Sequence, residues 1–324
     1  MEKIKINLDK RAATKLNNDI TIFRYLKENG SANKNGFLNT LLANYFPIYH
    51  NIAHKHIQRY NKIINTHLNN KNTSTNIIND LISTNKFFSY NKTNSLEVSI
   101  NFKPINSNKK IISIIINEYT HHQSISSFFR NMIEHYLSLP QYKREQIIYL
   151  DSYEILQEAI NEKRKICLYT DNNKTTLLPY KLVTSNEEMY TYLICLNEQL
   201  YCIKSYHLYK MKNFFKSNET FTFNNDELEK LENVAINSPQ FPYNDEPETI
   251  IELTQAGVKM YEKKYLNRPT PYKIENNKYY FNCSHSQIIL YFFPFAKNAK
   301  IIAPNSIKET FKSMYLEAYN HYLD

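Results

Sequence analysis

Apolar and polar residues alternate at the start of the chain, over residues 3–8. The apolar residues share one face of an extended segment and the polar residues share the other: Ile4, Ile6 and Leu8 against Lys3, Lys5 and Asn7. We expect a helix over about residues 9–29, a break at Gly30 and Ser31, and a second helix over residues 36–46. The pattern predicts a strand followed by two helices.

The same order returns in residues 96–102, which alternate again and are followed by a helix around residues 107–119. A further helix begins near Ser124 or Ser126, either of which can cap it. One strand with its helices cannot bury its own apolar face, so the two halves are expected to pair antiparallel within one chain. Exchange of strands between two protomers stays open.

A strand followed by two helices resembles the ribbon-helix-helix fold of small bacterial repressors. In that family the outward residues of the paired strands enter the DNA major groove, and the helix N-termini contact phosphate. The resemblance implies a nucleic-acid-binding set in the first half of the chain: Lys3, Lys5, Asn7, Lys10 and Arg11. The second strand presents Glu97, Ser99 and Asn101 outward, so the two strands of the ribbon are expected to contact DNA unequally.

In the middle of the chain, residues 153–215 read as one helix followed by four or five short strands separated by polar turns. Tyr192 and Leu193 form a Tyr-Leu pair after Thr191, and Pro179 begins an earlier strand segment. This segment resembles the WYL domain, an Sm-like β-barrel of bacterial regulators, with Thr191 in the position of the family's Trp. The resemblance implies a small curled barrel.

Two basic positions of the WYL pattern are usually arginines, and here they are Lys204 and His207. Lysine is a point charge and histidine is mostly neutral at pH 7, so phosphate binding differs from that of an arginine fork. The resemblance assigns five ligand-binding residues to one edge of the barrel: Tyr169, Tyr192, Lys204, Tyr206 and His207. The alternative is that these tyrosines only pack the barrel wall. Strict strand alternation would also place His207 on the face opposite Lys204 and Tyr206.

The remaining chain starts with an acidic segment, and the order β-α-β-β-α-β follows it. This order resembles the ferredoxin-like C-terminal extension of WYL regulators, which often makes dimer contacts. We therefore predict an α+β protein with four parts: a tandem ribbon-helix-helix-like domain over residues 1–148 with a helical insert at about 47–94, a WYL domain over 149–217, a linker over 218–246, and a ferredoxin-like unit over 247–324.

Charge is distributed unevenly along the 324 residues. Residues 1–150 hold 20 Lys/Arg and 9 Asp/Glu, whereas residues 151–324 hold 20 and 22. A basic segment joined to a nearly neutral one is the pattern expected when the basic segment binds nucleic acid. The chain has 27 Tyr and no Trp, and tyrosines interleaved with lysines can stack unpaired bases, although most such rings could equally be core residues.

Several classes of site are not expected. The four cysteines form no CxxC motif, and the chain has no apolar stretch of membrane-spanning length, so we expect a cytoplasmic protein without disulfides. His50 and His54 have the i, i+4 spacing of a metal-binding pair, with His56 close by, but no carboxylate or cysteine is near them in sequence. We expect these histidines, and His121 and His122, to be solvated or packed, with no metal and no cofactor.

Motifs for phosphate-loop, nucleophilic or paired-carboxylate catalysis are absent from the sequence, so we expect no enzyme. The layout resembles WYL accessory proteins of type VI CRISPR loci, which implies a homodimer that binds single-stranded RNA and modulates an RNA-guided RNA nuclease. The alternative is a ribbon-helix-helix/WYL repressor that senses a nucleotide or oligonucleotide. A third class, an interaction protein without a nucleic-acid role, leaves the basic first half unexplained.

Overall fold

The computed structural model describes residues 2–67, 73–74, 76–78, 81, 97–119, 124–170, 173–185, 187–237, 239–243 and 246–323. The chain forms two compact units, Met1–Tyr153 and Glu154–Asp324. His121, His122, residue 96 and most of the predicted insert beyond residue 67 lie outside the described residues.

The first unit contains a two-stranded ribbon. Strand β1 (Ile4–Asp9) pairs antiparallel with β2 (Glu97–Phe102), in a register that joins Ile4 to Phe102 and Asp9 to Glu97. This confirms the predicted pairing within one chain. Ile6 is buried on the helix side of the ribbon, as alternation requires.

Each strand of the ribbon leads into helices. Helices α1 (Lys10–Ile22) and α2 (Lys34–His67) follow β1, and α3 (Lys109–Tyr119) and α4 (Ile125–Ser138) follow β2. Asp9 caps α1 by accepting a hydrogen bond of 2.6 Å from the backbone N–H of Ala12. Ser124 caps α4 by accepting from the backbone N–H of Ser127 at 3.1 Å. Two further helices follow: α5 (Gln141–Ile148) and α6 (Leu150–Asn161), which crosses the boundary between the units.

Two predicted helix ends are wrong. The sequence pattern extends the first helix to residue 29, but α1 ends at Ile22, and Arg24 then adopts a left-handed φ of 52° that stops a helix. The pattern ends the second helix at residue 46, but α2 continues through Pro47. A proline removes a single backbone donor, and the apolar stripe goes on beyond it, since Tyr49 and Ala53 are buried.

A buried ion pair joins α1 to α5 in the first unit. Arg144 donates from Nε to Oδ2 of Asp19 at 2.7 Å and from Nη2 to Oδ1 at 2.8 Å, and its Nη1 bonds the carbonyl of Leu139. Asp19 is 1% exposed and Arg144 is 5% exposed. The bidentate geometry satisfies both charges, which burial demands. The surrounding core is aromatic: Phe37, Tyr45, Tyr49, Phe128 and Tyr136.

The second unit begins with a five-stranded antiparallel sheet. Its strands are β3 (Arg164–Thr170), β4 (Asn173–Thr184), β5 (Thr191–Asn197), β6 (Cys202–His207) and β7 (Phe214–Thr220). Their order across the sheet is β6-β5-β4-β3-β7, so the last strand returns to pair with the first. This order places both ends of the segment next to each other.

The predicted linker over residues 218–246 is wrong, because it contains helix α7 (Asn225–Asn237). Leu231 and Val234 of this helix are buried and pack with Ile194 and Leu196 of β5. Acidic residues dilute the apolar stripe of α7 in the sequence, and acidic side chains in a first helical turn favour a helix start. The segment therefore belongs to the folded core of this unit.

A second antiparallel sheet completes the unit. Its strands are β8 (Thr249–Leu253), β9 (Lys273–Glu275), β10 (Lys278–Phe281) and β11 (Ala299–Ala303), in the order β11-β8-β10-β9. Helices α8 (Gln255–Lys263), α9 (His285–Phe292) and α10 (Asn305–Asn320) follow in the chain. The predicted order β-α-β-β-α-β is confirmed.

Gly257 in α8 allows a close approach, since a Cβ there would lie 2.2 Å from the Asn298 carbonyl oxygen. The chain is therefore a mixed α/β protein with several antiparallel sheets. Over the residues that are described, no helix combines the length and the apolar character needed to cross a bilayer.

Candidate nucleic-acid interface

One end of the ribbon in the first unit is basic. Lys3 and Lys5 are exposed at the start of β1, and Lys103 is exposed directly after β2. Because Ile4 pairs with Phe102, Lys3 and Lys103 lie at the same end of the ribbon. The three lysines are typical of a phosphate-contacting surface.

The rest of the outer ribbon face is polar or acidic. Asn7 lies opposite Ser99, and the Ser99 hydroxyl donates to Oδ1 of Asn7 at 2.7 Å. Asp9 lies opposite Glu97 at the far end. Since the Ser99 hydroxyl donates within the ribbon and the far end is anionic, this face offers few donors to base edges in a groove.

The other predicted phosphate contacts, Lys10 and Arg11, are exposed in the first turn of α1. Asp9 already occupies the backbone N–H of Ala12 in this turn. A phosphate at the α1 N-terminus would compete with that carboxylate, so the side chains of Lys10 and Arg11 are the available donors there.

Contacts from α4 hold the ribbon in place. The Ser126 hydroxyl donates to the backbone carbonyl of Lys5 at 2.7 Å, and Arg130 Nε donates to the carbonyl of Asn7. These bonds fix the backbone of β1 and leave the Lys5 side chain exposed. Sequence reasoning missed both residues, because nothing in their local pattern indicates a contact with a distant strand.

An exposed aromatic pair lies on the five-stranded sheet of the second unit. The rings of Tyr169 and Phe215 are stacked, with centroids 5.8 Å apart and planes inclined by 27°. Tyr169 is 45% exposed and Phe215 is 46% exposed. Lys174 pairs directly with Tyr169 across β3 and β4 and is also exposed. Two accessible rings beside a lysine are suited to an unpaired base and its phosphate.

Tyr192 and His207 are brought together elsewhere on this sheet. They are register partners on β5 and β6, with ring centroids 4.4 Å apart. Tyr192 is buried, and its hydroxyl donates to the carboxylate of Glu188. Tyr190 and Tyr209 enclose the His207 ring. The arrangement is an aromatic cluster in which the tyrosines act as packing residues.

The His207 ring is neutral at physiological pH. Burial, with a smaller contribution from the charge of Lys210, lowers the pKa of His207 to about 4. Its buried Nδ1 has no hydrogen-bond partner among the described residues. His207 therefore does not supply the positive charge that an arginine in this position would supply.

Lys204 and Tyr206 lie on the opposite face of β6 from His207, next to Cys195 and Leu193. Burial raises the pKa of Tyr206 to about 12. The resemblance implies one ligand-facing edge for the four residues, whereas strand alternation predicts two faces. The register of β5 and β6 follows the alternation, with Tyr192 and His207 on one face and Lys204 and Tyr206 on the other. No bulge interrupts this pairing.

Two lysines of the sheet are engaged in ion pairs. Lys165 Nζ lies 2.7 Å from Glu198 and 2.9 Å from Glu219. Lys216 Nζ on β7 likewise contacts the carboxylates of Glu158 in α6 and of Glu162, which directly follows that helix. Their charges are compensated, which leaves Lys174 as the more suitable phosphate contact beside the aromatic pair. Sequence reasoning missed Lys174, which it assigned to a turn, and Phe215, whose role depends on the β3–β7 register.

No carboxylate is near the histidines of α2 in sequence, but the fold brings one to them. Glu118 of α3 comes within 4 Å of both His50 and His54. The proximity arises from helix packing between distant segments and leaves no signal in the local sequence.

Comparison with known proteins establishes the fold. No protein-family model matches the chain, and no curated protein matches it. A solved structure described as "Crystal structure of a CRISPR Cas-related protein" aligns with a TM-score of 0.72 and 18% identity, over 99% of this chain and 94% of the other. Proteasome accessory factor B/C (PafBC) of Arthrobacter aurescens aligns with a TM-score of 0.22 and 12% identity, over 49% of this chain and 26% of the other. This similarity is too low to support a conclusion. The chain thus has the fold of the CRISPR Cas-related protein along nearly its whole length.

Proposed function

We propose that the chain is a regulatory protein that binds single-stranded RNA and acts by binding alone. The observation that supports this most directly is the exposed pair Tyr169 and Phe215 with Lys174 beside it. A duplex hides the faces of its bases, whereas a single strand exposes them to stacking on aromatic rings.

The topology supports the finer fold assignment. We infer a ribbon-helix-helix-like first unit, since two strand-helix-helix halves pair through β1 and β2. One helix followed by five strands in the order β6-β5-β4-β3-β7 fits an Sm-like barrel of the WYL type. The order β11-β8-β10-β9, with antiparallel neighbours, fits a ferredoxin-like extension.

In this proposal the ribbon contributes a positive electrostatic potential and contacts with phosphate. Lys3, Lys5 and Lys103 form its basic end. The hydrogen bond between Asn7 and Ser99, together with the anionic far end, disfavours base reading in a major groove. Sequence-indifferent binding follows from this distribution.

We further propose that the chain modulates an RNA-guided RNA nuclease of a type VI CRISPR system, as a homodimer. The shared fold with a CRISPR Cas-related protein supports this role. The test mixes the native chain with a guide-loaded nuclease from the same locus and a target RNA. Faster cleavage with the native chain, and a smaller gain with Tyr169→Ala, are expected. An unchanged cleavage rate at saturating protein would overturn the proposed role.

Cross-linking tests the RNA site itself. Single-stranded RNA carrying a photoreactive uridine is irradiated with the full chain, and the modified peptides are sequenced. Adducts on the peptides that contain Tyr169 or Phe215 are expected. Adducts confined to other segments would contradict the assignment of this pair as the stacking surface.

The alternative is an autoregulatory repressor that binds duplex DNA and senses a nucleotide through the WYL unit. The exposed side chains of Lys3 and Lys5 on the ribbon favour it. It predicts tight binding to a site in the chain's own promoter, with a specificity ratio above about 10³ over unrelated duplex. The single-stranded RNA proposal predicts weak duplex binding without such a site.

A further inference from the structure

Two helices of the first unit bring three metal-binding side chains together. His50 and His54 are one turn apart on α2, so they project from the same face. Glu118 projects from the end of α3. One ligand atom from each of the three residues lies within 4.8 Å of the other two.

The separations fit a shared ion better than they fit direct pairing. His50 Nδ1 lies 3.8 Å from Oε2 of Glu118, and His54 Nε2 lies 3.7 Å from the same oxygen. Both distances exceed the range of a hydrogen bond. Two ligand atoms on a tetrahedral Zn²⁺ with bonds of about 2.0–2.1 Å are about 3.3 Å apart. The two histidine–carboxylate separations need to shorten by only a few tenths of an ångström to match this value, and all three ligand atoms already lie within 4.8 Å of one another.

The surroundings hold the histidines in place. The ring of Phe46 stacks on His50 with centroids 5.3 Å apart. The Tyr119 hydroxyl lies 2.7 Å from His50 Nδ1. His54 and Glu118 are about half exposed, so an ion can enter from solvent.

We propose that His50, His54 and Glu118 bind a divalent transition metal, with Zn²⁺ as the ion that this ligand set suits best. Two imidazoles and a carboxylate are a recurrent Zn²⁺ donor set, and three protein ligands leave a fourth position open. Water would fill that position, and the Tyr119 hydroxyl would have to release His50 Nδ1 to the ion. Because the ligands come from α2 and α3, the ion would join the first strand-helix-helix half of the unit to the second.

The test uses the full chain without a histidine tag. Zn²⁺ affinity is measured by competition with a chromogenic chelator, and Co²⁺ is used as a spectroscopic probe of tetrahedral geometry. The native chain should bind one tight equivalent of Zn²⁺ and raise the melting temperature of the first unit, since an ion that binds only the folded state stabilises it.

Two ligand variants and one control locate the site. His54→Ala and Glu118→Gln should each reduce Zn²⁺ affinity by about tenfold or more and remove the Co²⁺ absorption band. His67→Ala removes an exposed histidine from the end of the same helix and should leave binding unchanged. Far-UV circular dichroism confirms that each variant folds. Absence of a tight equivalent in the native chain, or its survival in both ligand variants, would overturn the proposal.

Discussion

The hydroxyl of Ser99 donates a hydrogen bond of 2.7 Å to Oδ1 of Asn7 across the ribbon. These two side chains occupy the centre of the outer face, where a groove-reading ribbon would present donors and acceptors to bases. Their mutual bond engages the Ser99 hydroxyl donor and the Asn7 carbonyl oxygen within the protein. The lysines at one end of the ribbon are therefore its main nucleic-acid-binding groups, which favours contacts with phosphate over base-specific contacts.

Replacing the ribbon lysines tests this view. Lys3→Ala combined with Lys5→Ala should weaken binding of single-stranded RNA modestly and lower the salt slope by about 0.7 for each phosphate that the protein no longer neutralises. The measurement is a fluorescence anisotropy titration at several salt concentrations. Lys278→Ala combined with Lys308→Ala makes the same charge change at exposed positions of the C-terminal sheet region and should have a smaller effect. An equal decrease in affinity in both double variants would assign the effect to net charge alone.

Removing the aromatic pair should cost more affinity than removing any single lysine. Tyr169→Ala is expected to weaken single-stranded RNA binding by about 1–3 kcal/mol, the range for a stacked base, or roughly 5- to 150-fold. Tyr169→Phe keeps the ring and should bind like the native chain. Tyr201→Ala removes a tyrosine that is 80% exposed in the turn between β5 and β6 and serves as the control. Native affinity in Tyr169→Ala would exclude the pair as a stacking surface.

His207 should make the second unit sensitive to acid. The pKa of His207 is lowered to about 4 in the folded chain, from an ordinary value of about 6.5. Between these two pH values the side chain is protonated in the unfolded chain and neutral in the folded chain. The free energy of unfolding should therefore fall as pH drops from about 6.5 to about 4. His207→Phe should lose this component while keeping the ring contacts with Tyr190 and Tyr209. Thermal unfolding of both proteins across this pH range, with the exposed His321→Gln as control, measures it. A pH dependence that is identical in His207→Phe and the native chain would refute this account.

Breaking the ion pair of Asp19 with Arg144 from one side should destabilise the first unit. Asp19→Asn leaves the buried guanidinium without its counter-charge, and we expect the free energy of unfolding to fall by about 3–5 kcal/mol. Replacing both residues by Leu and Met should cost less than the single change. Glu28→Gln alters an exposed carboxylate in a turn and should stay within about 0.5 kcal/mol. Urea unfolding followed by circular dichroism gives the comparison, and a decrease of less than about 1 kcal/mol in Asp19→Asn would contradict the assigned role.

Local patterns predicted the elements whose signal is local. Strict alternation in residues 3–8 identified β1, and a second alternating segment identified its partner β2. The order of strands and helices after β8 was equally predictable, because polar turns separate each element there. Helix α7 was missed because acidic residues interrupt its apolar stripe. The burial of Leu231 against β5 depends on tertiary packing, which the local sequence does not show.

Contacts between distant segments could not be predicted in the same way. The Tyr169–Phe215 pair depends on how β7 returns to β3. Strand alternation did predict the separation of Lys204 from His207, because a strand without a bulge must alternate. Family resemblance suggested a common edge for these residues, and the unbroken register between β5 and β6 decides against it.

Direct titration of the full chain tests the central claim most sharply. Labelled single-stranded RNA and a DNA duplex of matching sequence are each titrated at low and high salt. We predict tighter binding to the single-stranded RNA. The logarithm of its binding constant should fall linearly with the logarithm of the salt concentration, with a slope of about −0.7 for each neutralised phosphate. Salt-independent binding, no binding to RNA, or a duplex from the chain's own promoter bound with a specificity ratio above about 10³ would contradict it.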